Sequence, residues 1–358
     1  MQRIAVVGGG IAGLTVALRR VRSGDSVVLF EANNRIGGQL RSESSDGFVV
    51  EHGAEGFVAR SEAVPALANA IGIAHDFVDQ LVFNSYRYDA GALVALAPGE
   101  AGRMLGFQVE SEELGRGIRS FRHGMGELPE SLLPSLDGPF ELCLGTTVTR
   151  IAPGTHFITL DTSDGSVREF DAVAVAATAN SAAAMLEQSF GAKASALRAA
   201  PLHSSVTVSL AFRRERVNHP LDGTGMIVPN PAELDGVRAV TFASSKLPER
   251  APQNHVLLRA FFRPSAAELT HTDGAWKHRT ERALARALAV LGAAEAAWIS
   301  RWPDALPVFD DAQRLRIVEL EQALAGHRIA LAGSAFHGSG IDAAIRSAEK
   351  AALVLAGD

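Results

Sequence analysis

Gly8, Gly10 and Gly13 lie in the run Gly8-Gly9-Gly10-Ile11-Ala12-Gly13, directly after the apolar stretch Arg3-Ile4-Ala5-Val6-Val7. Each glycine meets one requirement of a dinucleotide phosphate site. Gly8 permits a tight turn out of a strand. Gly10 removes the Cβ that would hold a pyrophosphate off the backbone. Gly13 lets the next helix pack close. That helix would open at Ile11, Ala12 and Gly13, with unpaired N–H groups and a partial positive charge facing the phosphate. A second apolar run, Ser26-Val27-Val28-Leu29-Phe30, ends in Glu31. An acid at that distance accepts hydrogen bonds from ribose hydroxyls and disfavours a 2′-phosphate.

Other chemistries find little support. The 11 histidines show no H-x-x-x-H or H-E-x-x-H spacing, and no G-x-S-x-G is present, so neither metal catalysis nor a serine nucleophile is expected. Cys143 is the single cysteine, which excludes an intramolecular disulfide and a cysteine metal cluster. Its neighbours Phe140 to Leu144 suggest a small buried apolar residue.

The elements that must position these residues follow from hydrophobic pattern. Residues 3–7 and 26–30 read as buried parallel strands and 11–23 as the helix between them, a βαβ unit. Residues 205–212 and 255–261 alternate as half-exposed antiparallel strands do. Residues 275–292 read as a helix, 328–333 as a further buried strand and 341–355 as a closing helix. The fold class is α/β (α+β overall): a Rossmann-type nucleotide domain beside a second domain of mixed antiparallel sheet. With 358 residues, 47% of them hydrophobic, the chain is long enough for both. A net charge of -6 argues against nucleic acid as a partner. Met1-Gln2-Arg3 leads straight into the first strand and no run of 18 apolar residues occurs, so a cytoplasmic protein without a leader or transmembrane helix is expected.

Beyond Glu31 the chain continues Ala32-Asn33-Asn34-Arg35-Ile36-Gly37-Gly38-Gln39-Leu40-Arg41. This resembles the E-x-x-x-R-x-G-G segment of the amine oxidase and protoporphyrinogen oxidase flavoproteins. The resemblance implies FAD rather than NAD, with Ala32, Arg35, Gly37, Gly38 and Gln39 joining Glu31 along it. Many members carry arginine where this chain has Gln39, which would weaken one phosphate contact. Leu331-Ala332-Gly333-Ser334 through Arg346-Ser347 is similar to the closing flavin motif of the same superfamily, although Ala348 replaces a frequent glycine. It implies cofactor contacts at Gly333, Gly340, Ile341 and Ala344, with a helix N-terminus aimed at the flavin pyrimidine ring.

The resemblance to protoporphyrinogen oxidase extends over most of the chain. Asp46-Gly47-Phe48-Val49-Val50-Glu51-His52-Gly53 is similar to the segment beneath the flavin, which brings Gly53 and Ala54 to the cofactor. Thr241 to Pro252 and His255 to Phe261 resemble substrate-domain strands. Arg301-Trp302-Pro303-Asp304-Ala305-Leu306-Pro307 resembles the return to the flavin and carries Trp302. Gly124-Met125-Gly126-Glu127-Leu128 resembles the turn opening the second flavin section, after which Val148 would hold the adenine through its backbone. The implied domains are an FAD-binding domain from residues 1–84, 119–200 and 301–358, and a shortened substrate domain from 85–118 and 201–300. Only Gly106 to Ile118 replaces the family's large helical insertion, so a more open pocket and reduced or absent membrane attachment are expected.

The implied reaction is hydride transfer from a cyclic or pyrrolic nitrogen compound to flavin N5, with O2 or another acceptor reoxidising the flavin. His52 and His337 are the site candidates by position, either in contact with substrate or flavin or as structural hydrogen-bonders. Some members hold a substrate propionate with an arginine where this chain has Ser85. Arg87 shares a strand face with Ser85 and either takes over that role or is a surface arginine. Two other readings remain open: a general amine oxidase or desaturase on the same scaffold, and a flavoprotein that has lost catalysis and binds a pigment or partner.

Overall fold

Continuous and alternating apolar runs sort the strands into two large sheets of different kinds. The computed structural model describes residues 1–104 and 117–356. The first sheet is parallel throughout and runs Phe140–Cys143, Ser26–Phe30, Arg3–Val7, Ala172–Val175, Ile329–Leu331. Both of its faces are covered, which is why its strands read as unbroken hydrophobic runs. Ile4, Val6 and Leu29 pack against the helices Ile11–Arg22 and Ile341–Val354. Ala5, Val28 and Phe30 pack on the other side, against the antiparallel strands Val148–Pro153 and Ile158–Thr162 and the helix Asp311–Leu324.

The edge strand Phe140–Cys143 corrects one expectation. Cys143 is half-buried rather than enclosed by apolar side chains, because an edge strand leaves one flank open. Its thiol lies 3.4 Å from Glu141 Oε1 and 3.6 Å from Arg168 Nη1, and burial followed by the Glu141 carboxylate pushes its pKa up.

The second sheet has seven strands in the order Ala296–Pro307, Leu202–Arg213, His255–Phe262, Val237–Phe242, Gly225–Ile227, Tyr86–Asp89, Ala92–Ala95. One pairing is parallel, Met226 with Tyr86; the others are antiparallel. Strand alternation gives the sheet two unlike faces. Val206, Val208, Leu210, Leu258, Ala260 and Val240 form an apolar layer under the helix Asp273–Leu288, whose Trp276 and Leu284 fill the gap. That helix ends earlier than the sequence pattern suggests, because Ala289 turns left-handed at φ 48°. The opposite face carries Thr207, Ser209, Thr241, Arg259, Phe261 and Ser300, and it is turned toward the parallel-sheet layer.

Strand Ala296–Pro307 pairs with Leu202–Arg213 from Ala296 to Trp302 and, after a register shift, again at Leu306 and Pro307, so it continues past residue 300, where the sequence suggested a domain boundary. The segment from Gly106 that stands in place of the helical insertion lies, up to Arg116, outside the described residues. Among the described residues, no helix is long and apolar enough to cross a membrane.

Candidate active site

The two glycine motifs lock into one another. Gly37 N donates to Gly9 O at 2.8 Å, and Gly10 and Gly37 form a parallel bridge. Several of these glycines admit no side chain. A Cβ at Gly8 would lie 2.4 Å from Ala176 O, one at Gly13 1.9 Å from Gly8 O, and one at Gly37 2.6 Å from Leu40 O. Gly10 differs: nothing in the protein lies within 4 Å of the place its Cβ would take. The helix Ile11–Arg22 begins there without a side-chain cap, so the N–H groups of its first turn, at Ile11, Ala12 and Gly13, have no side-chain acceptor among the described residues.

Glu31 sits beside this opening at 8% exposure. Its carboxylate accepts from Gly9 N at 2.7 Å, Asn33 N at 2.9 Å and Asn33 Nδ2 at 2.6 Å. A carboxylate has about four acceptor positions, so capacity remains for a sugar hydroxyl. Ala32 is exposed, and the chain beyond it is tied to the loop ahead of Val148, with Gly145 N donating to Asn33 O and Thr146 N to Glu31 O, both at 2.9 Å. Arg35 turns back onto its own loop, donating to Ile36 O at 3.1 Å and Gly38 O at 2.9 Å.

The remaining sequence candidates converge from three directions. Gly333 reaches the first helix, where a Cβ on it would lie 3.2 Å from Ala12 Cβ. The helix containing Ile341 and Ala344 starts at Gly340 (φ 100°), again without a side-chain cap. Gly53 packs on the Gln39 carbonyl, where a Cβ would fall 1.7 Å from the oxygen, and Ala54 N donates to the same carbonyl at 3.3 Å. Gln39 Nε2 donates to Ala305 O at 2.9 Å, and Trp302 Nε1 donates to His52 O at 2.7 Å.

Both histidines are fully engaged by protein partners. His52 Nδ1 lies 2.6 Å from Ser300 Oγ and Nε2 3.0 Å from Glu43 Oε2, while Glu43 Oε1 accepts from Trp298 Nε1 at 2.9 Å. Burial, then Arg41, lowers the pKa of the His52 ring and favours the neutral form. His337 Nδ1 meets Ser347 Oγ at 2.6 Å and Nε2 meets Glu321 Oε1 at 2.8 Å, and Ser347 Oγ accepts from Gly333 N at 2.8 Å. Arg87 lies on the face shared with Ile227 and Ala239 and pairs with Asp89 at 3.1 Å. At about 4.8 Å per strand it stands roughly 24 Å from Ser300, five strands away. Ser85 bonds Thr224 Oγ1 at 2.8 Å.

Sequence reading missed a cluster of buried charge around residues 51–55. Glu51 accepts from Ser42 Oγ at 2.6 Å and Met125 N at 2.8 Å, with Arg250 4.0 Å away. Its burial pushes the carboxyl up to about 7. Arg259 donates to Gly53 O at 2.6 Å, and Lys246 pairs with Glu55 at 3.0 Å. Arg250 Nε, Arg259 Nε and Glu55 Oε1 are buried without a partner among the described residues. The alternation of His255 to Phe261 already put Arg259 on one face with Leu257 and Phe261. Nothing local signals that this face is covered by residues some two hundred positions earlier.

The residues present fit FAD. A helix start without a cap, an open Cβ position at Gly10 and a carboxylate with spare acceptor capacity are the donor and acceptor set of a nucleotide diphosphate and its ribose.

Comparison with known proteins agrees. Residues 6–71 match an NAD(P)-binding Rossmann-like domain, and residues 91–355 match the family described as flavin-containing amine oxidoreductase. The coproporphyrinogen III oxidase of Bacillus subtilis (strain 168) is 22% identical, with 95% of each chain covered. That alignment runs over 451 positions, more than the 358 residues of this chain, so part of it faces a gap here. The coproporphyrinogen III oxidase of Propionibacterium freudenreichii subsp. freudenreichii is 31% identical over 66% of this chain and 44% of its own. A provisionally named protoporphyrinogen oxidase from Exiguobacterium sp. 255-15 superposes with a TM-score of 0.84 at 22% identity, covering 98% of both chains. The chain belongs to the flavin-containing amine oxidoreductase family and is an FAD-dependent oxidoreductase.

Proposed function

We propose that this enzyme dehydrogenates a porphyrinogen, with O2 as the acceptor. The observation that supports this reading most is the end-to-end likeness to a coproporphyrinogen III oxidase, 95% of each chain. FAD supplies the two-electron redox chemistry when bound. At each oxidation the substrate gives up a hydride from a bridging carbon and a proton from a pyrrole N–H, and one O2 leaves as H2O2. Three such steps, with one tautomerisation that moves a bridging-carbon hydrogen to a pyrrole nitrogen, convert a porphyrinogen to a porphyrin and reduce three O2 to three H2O2.

The chain's own part is binding and orientation. In this reading the amides at Gly8, Gly10, Ile11, Ala12 and Gly13 hold the diphosphate and Glu31 the ribose, with Ala32, Arg35, Gly37, Gly38 and Gln39 lining the same path. Val148 holds the adenine. Gly53, Ala54, Trp302, Gly333, Gly340, Ile341 and Ala344 surround the rest of the cofactor. His52 acts as a positioning residue, because Glu43 and Ser300 take both ring nitrogens and leave its backbone to fix Gly53. His337 likewise orders the Gly333 loop through Ser347. Arg87 bears on substrate only at the far edge of the sheet. The FAD-binding part comprises residues 1–84, 119–200 and 301–358, and the enzyme works in the cytoplasm.

The test is turnover by the flavin-loaded protein in air. Coproporphyrinogen III or protoporphyrinogen IX should yield porphyrin fluorescence and peroxide, against a background corrected for autoxidation. Oxidation of primary or cyclic amines without porphyrinogen turnover would replace this reading with an amine oxidase or desaturase. A flavin that no candidate reduces, in a protein that binds porphyrin tightly, would indicate a pigment-binding protein.

A further inference from the structure

The sheet face that meets His52 carries a group of positive charges at one end. Thr207 Oγ1 and Trp302 Nε1 both donate to His52 O, so this part of the face borders the flavin side. Strand alternation then places the next residues. Arg263 lies two residues beyond Phe261 on the same face, just past the paired strand His255–Phe262. It stands level with Ser205, which pairs with Trp302 on the next strand, and His203 follows two residues on. On the other flank Arg238 fills the extra position of a bulge between Val237 and Ala239.

These three groups lie close enough to perturb one another. Burial, then Arg263 and Arg238, lowers the pKa of the His203 ring, and burial followed by Arg238 lowers that of the Arg263 guanidinium. Among the described residues, no carboxylate comes within 4.0 Å of Arg238 or Arg263. Elsewhere on the same face, Arg87 has Asp89, and Arg259 has Glu51 and Glu55 in its field. Neighbouring guanidiniums without a counter-charge repel, and a guanidinium fork matches a carboxylate in both shape and charge. Phe261 and Trp302 border the patch with aromatic surface. Two strand spacings of about 4.8 Å put Arg263 roughly 10 Å from Trp302, the scale of one tetrapyrrole.

We propose that Arg238, Arg263 and His203 form a rim that grips the peripheral carboxylates of the substrate while its macrocycle lies over Phe261 and Trp302. This rests on the porphyrinogen reading and specifies it: a porphyrinogen with carboxylates at its edge is preferred, and the more so the more carboxylates it carries.

Coproporphyrinogen III has four propionates, and its tetramethyl ester has none free. For the flavin-loaded wild type, KM for the ester should exceed that for the acid about tenfold or more, and rising salt should narrow the gap. In R238Q/R263Q, KM for the acid should rise to near that of the ester. The kcat, flavin content and melting temperature should stay near wild type, since both side chains are exposed. Equal KM for acid and ester in the wild type would overturn the rim without calling on any variant. An unchanged acid KM in R238Q/R263Q would overturn it as well. In both cases turnover persists and the porphyrinogen reading stands. If the wild type oxidises neither compound, that reading fails and the rim with it.

Discussion

Trp302 donates its indole N–H to the backbone carbonyl of His52 at 2.7 Å. The bond joins the middle of strand Ala296–Pro307 to the short segment 51–55, and so couples the seven-stranded sheet to the parallel-sheet layer. Among the described residues, the second donor to that carbonyl is Thr207 Oγ1, at 3.4 Å. Trp302→Phe keeps the aromatic body and removes the donor. Urea denaturation should show a loss of about 1–2 kcal/mol, because the buried carbonyl is left with one long bond. Turnover should fall more than flavin content, since the segment carrying His52 and Gly53 loses its anchor. A variant matching wild type in both midpoint and kcat would mean the bond positions nothing.

Gly10 and Gly13 make opposite predictions although they lie three residues apart. A Cβ at Gly13 would fall 1.9 Å from Gly8 O, inside the turn itself. Gly13→Ala must therefore push the first helix off the strand, and it should lower the melting temperature sharply or abolish soluble expression. A Cβ at Gly10 meets nothing in the protein. Gly10→Ala should fold with near wild-type stability yet retain little flavin, because the methyl group occupies the diphosphate's approach. Thermal melts of the apoproteins beside flavin-to-protein absorbance ratios separate the two. Full flavin occupancy in Gly10→Ala would displace the diphosphate from this bend.

These glycines show what was legible in the sequence. Tight turns and close approaches leave a local signature, so the βαβ unit, the ribose acid and the second glycine pair all follow from residue types and their spacing. The uncapped helix at Ile341 is legible for the same reason. The partners of His52 are not. Glu43 is close in sequence, but Ser300, Trp302 and Thr207 come from strands whose arrival depends on the seven-stranded order, which crosses from 296–307 to 86–95. The strand Phe140–Cys143 escapes notice because four residues carry too short a pattern, and its edge position leaves Cys143 beside Glu141 and Arg168.

Glu31 holds Gly9 N and both Asn33 donors while keeping acceptor capacity toward the open side of the loop. Glu31→Ala should weaken FAD binding by about 1–3 kcal/mol, the worth of a hydrogen bond to a charged group. Titration of apoprotein with FAD, followed by quenching of flavin fluorescence, measures this directly. The fall should be smaller for FMN, which has no adenosine ribose to lose. An unchanged FAD dissociation constant would remove Glu31 from the ribose.

Glu51 sets a pH dependence whose sign is fixed by its burial. At 4% exposure its carboxyl is pushed from an ordinary value of 4.5 up to about 7, burial outweighing the help of Ser42, Arg250 and Met125. The folded protein therefore holds this proton over a range in which the unfolded chain has released it. More protons bound in the native state means that stability falls as pH rises. The loss begins near pH 4.5, grows through pH 7 and is complete above it, amounting to a few kcal/mol at about 1.4 kcal/mol per unit. Glu51→Gln keeps an acceptor for Met125 N and a polar partner for Ser42 but cannot ionise. Across urea midpoints from pH 5 to pH 8.5, the glutamine variant should thus gain on wild type as pH rises through 7, and the difference should level off above it. If the curves stay parallel, Glu51 is ionised throughout and Arg250, 4.0 Å away, offsets its burial more fully than the position of the carboxyl suggests.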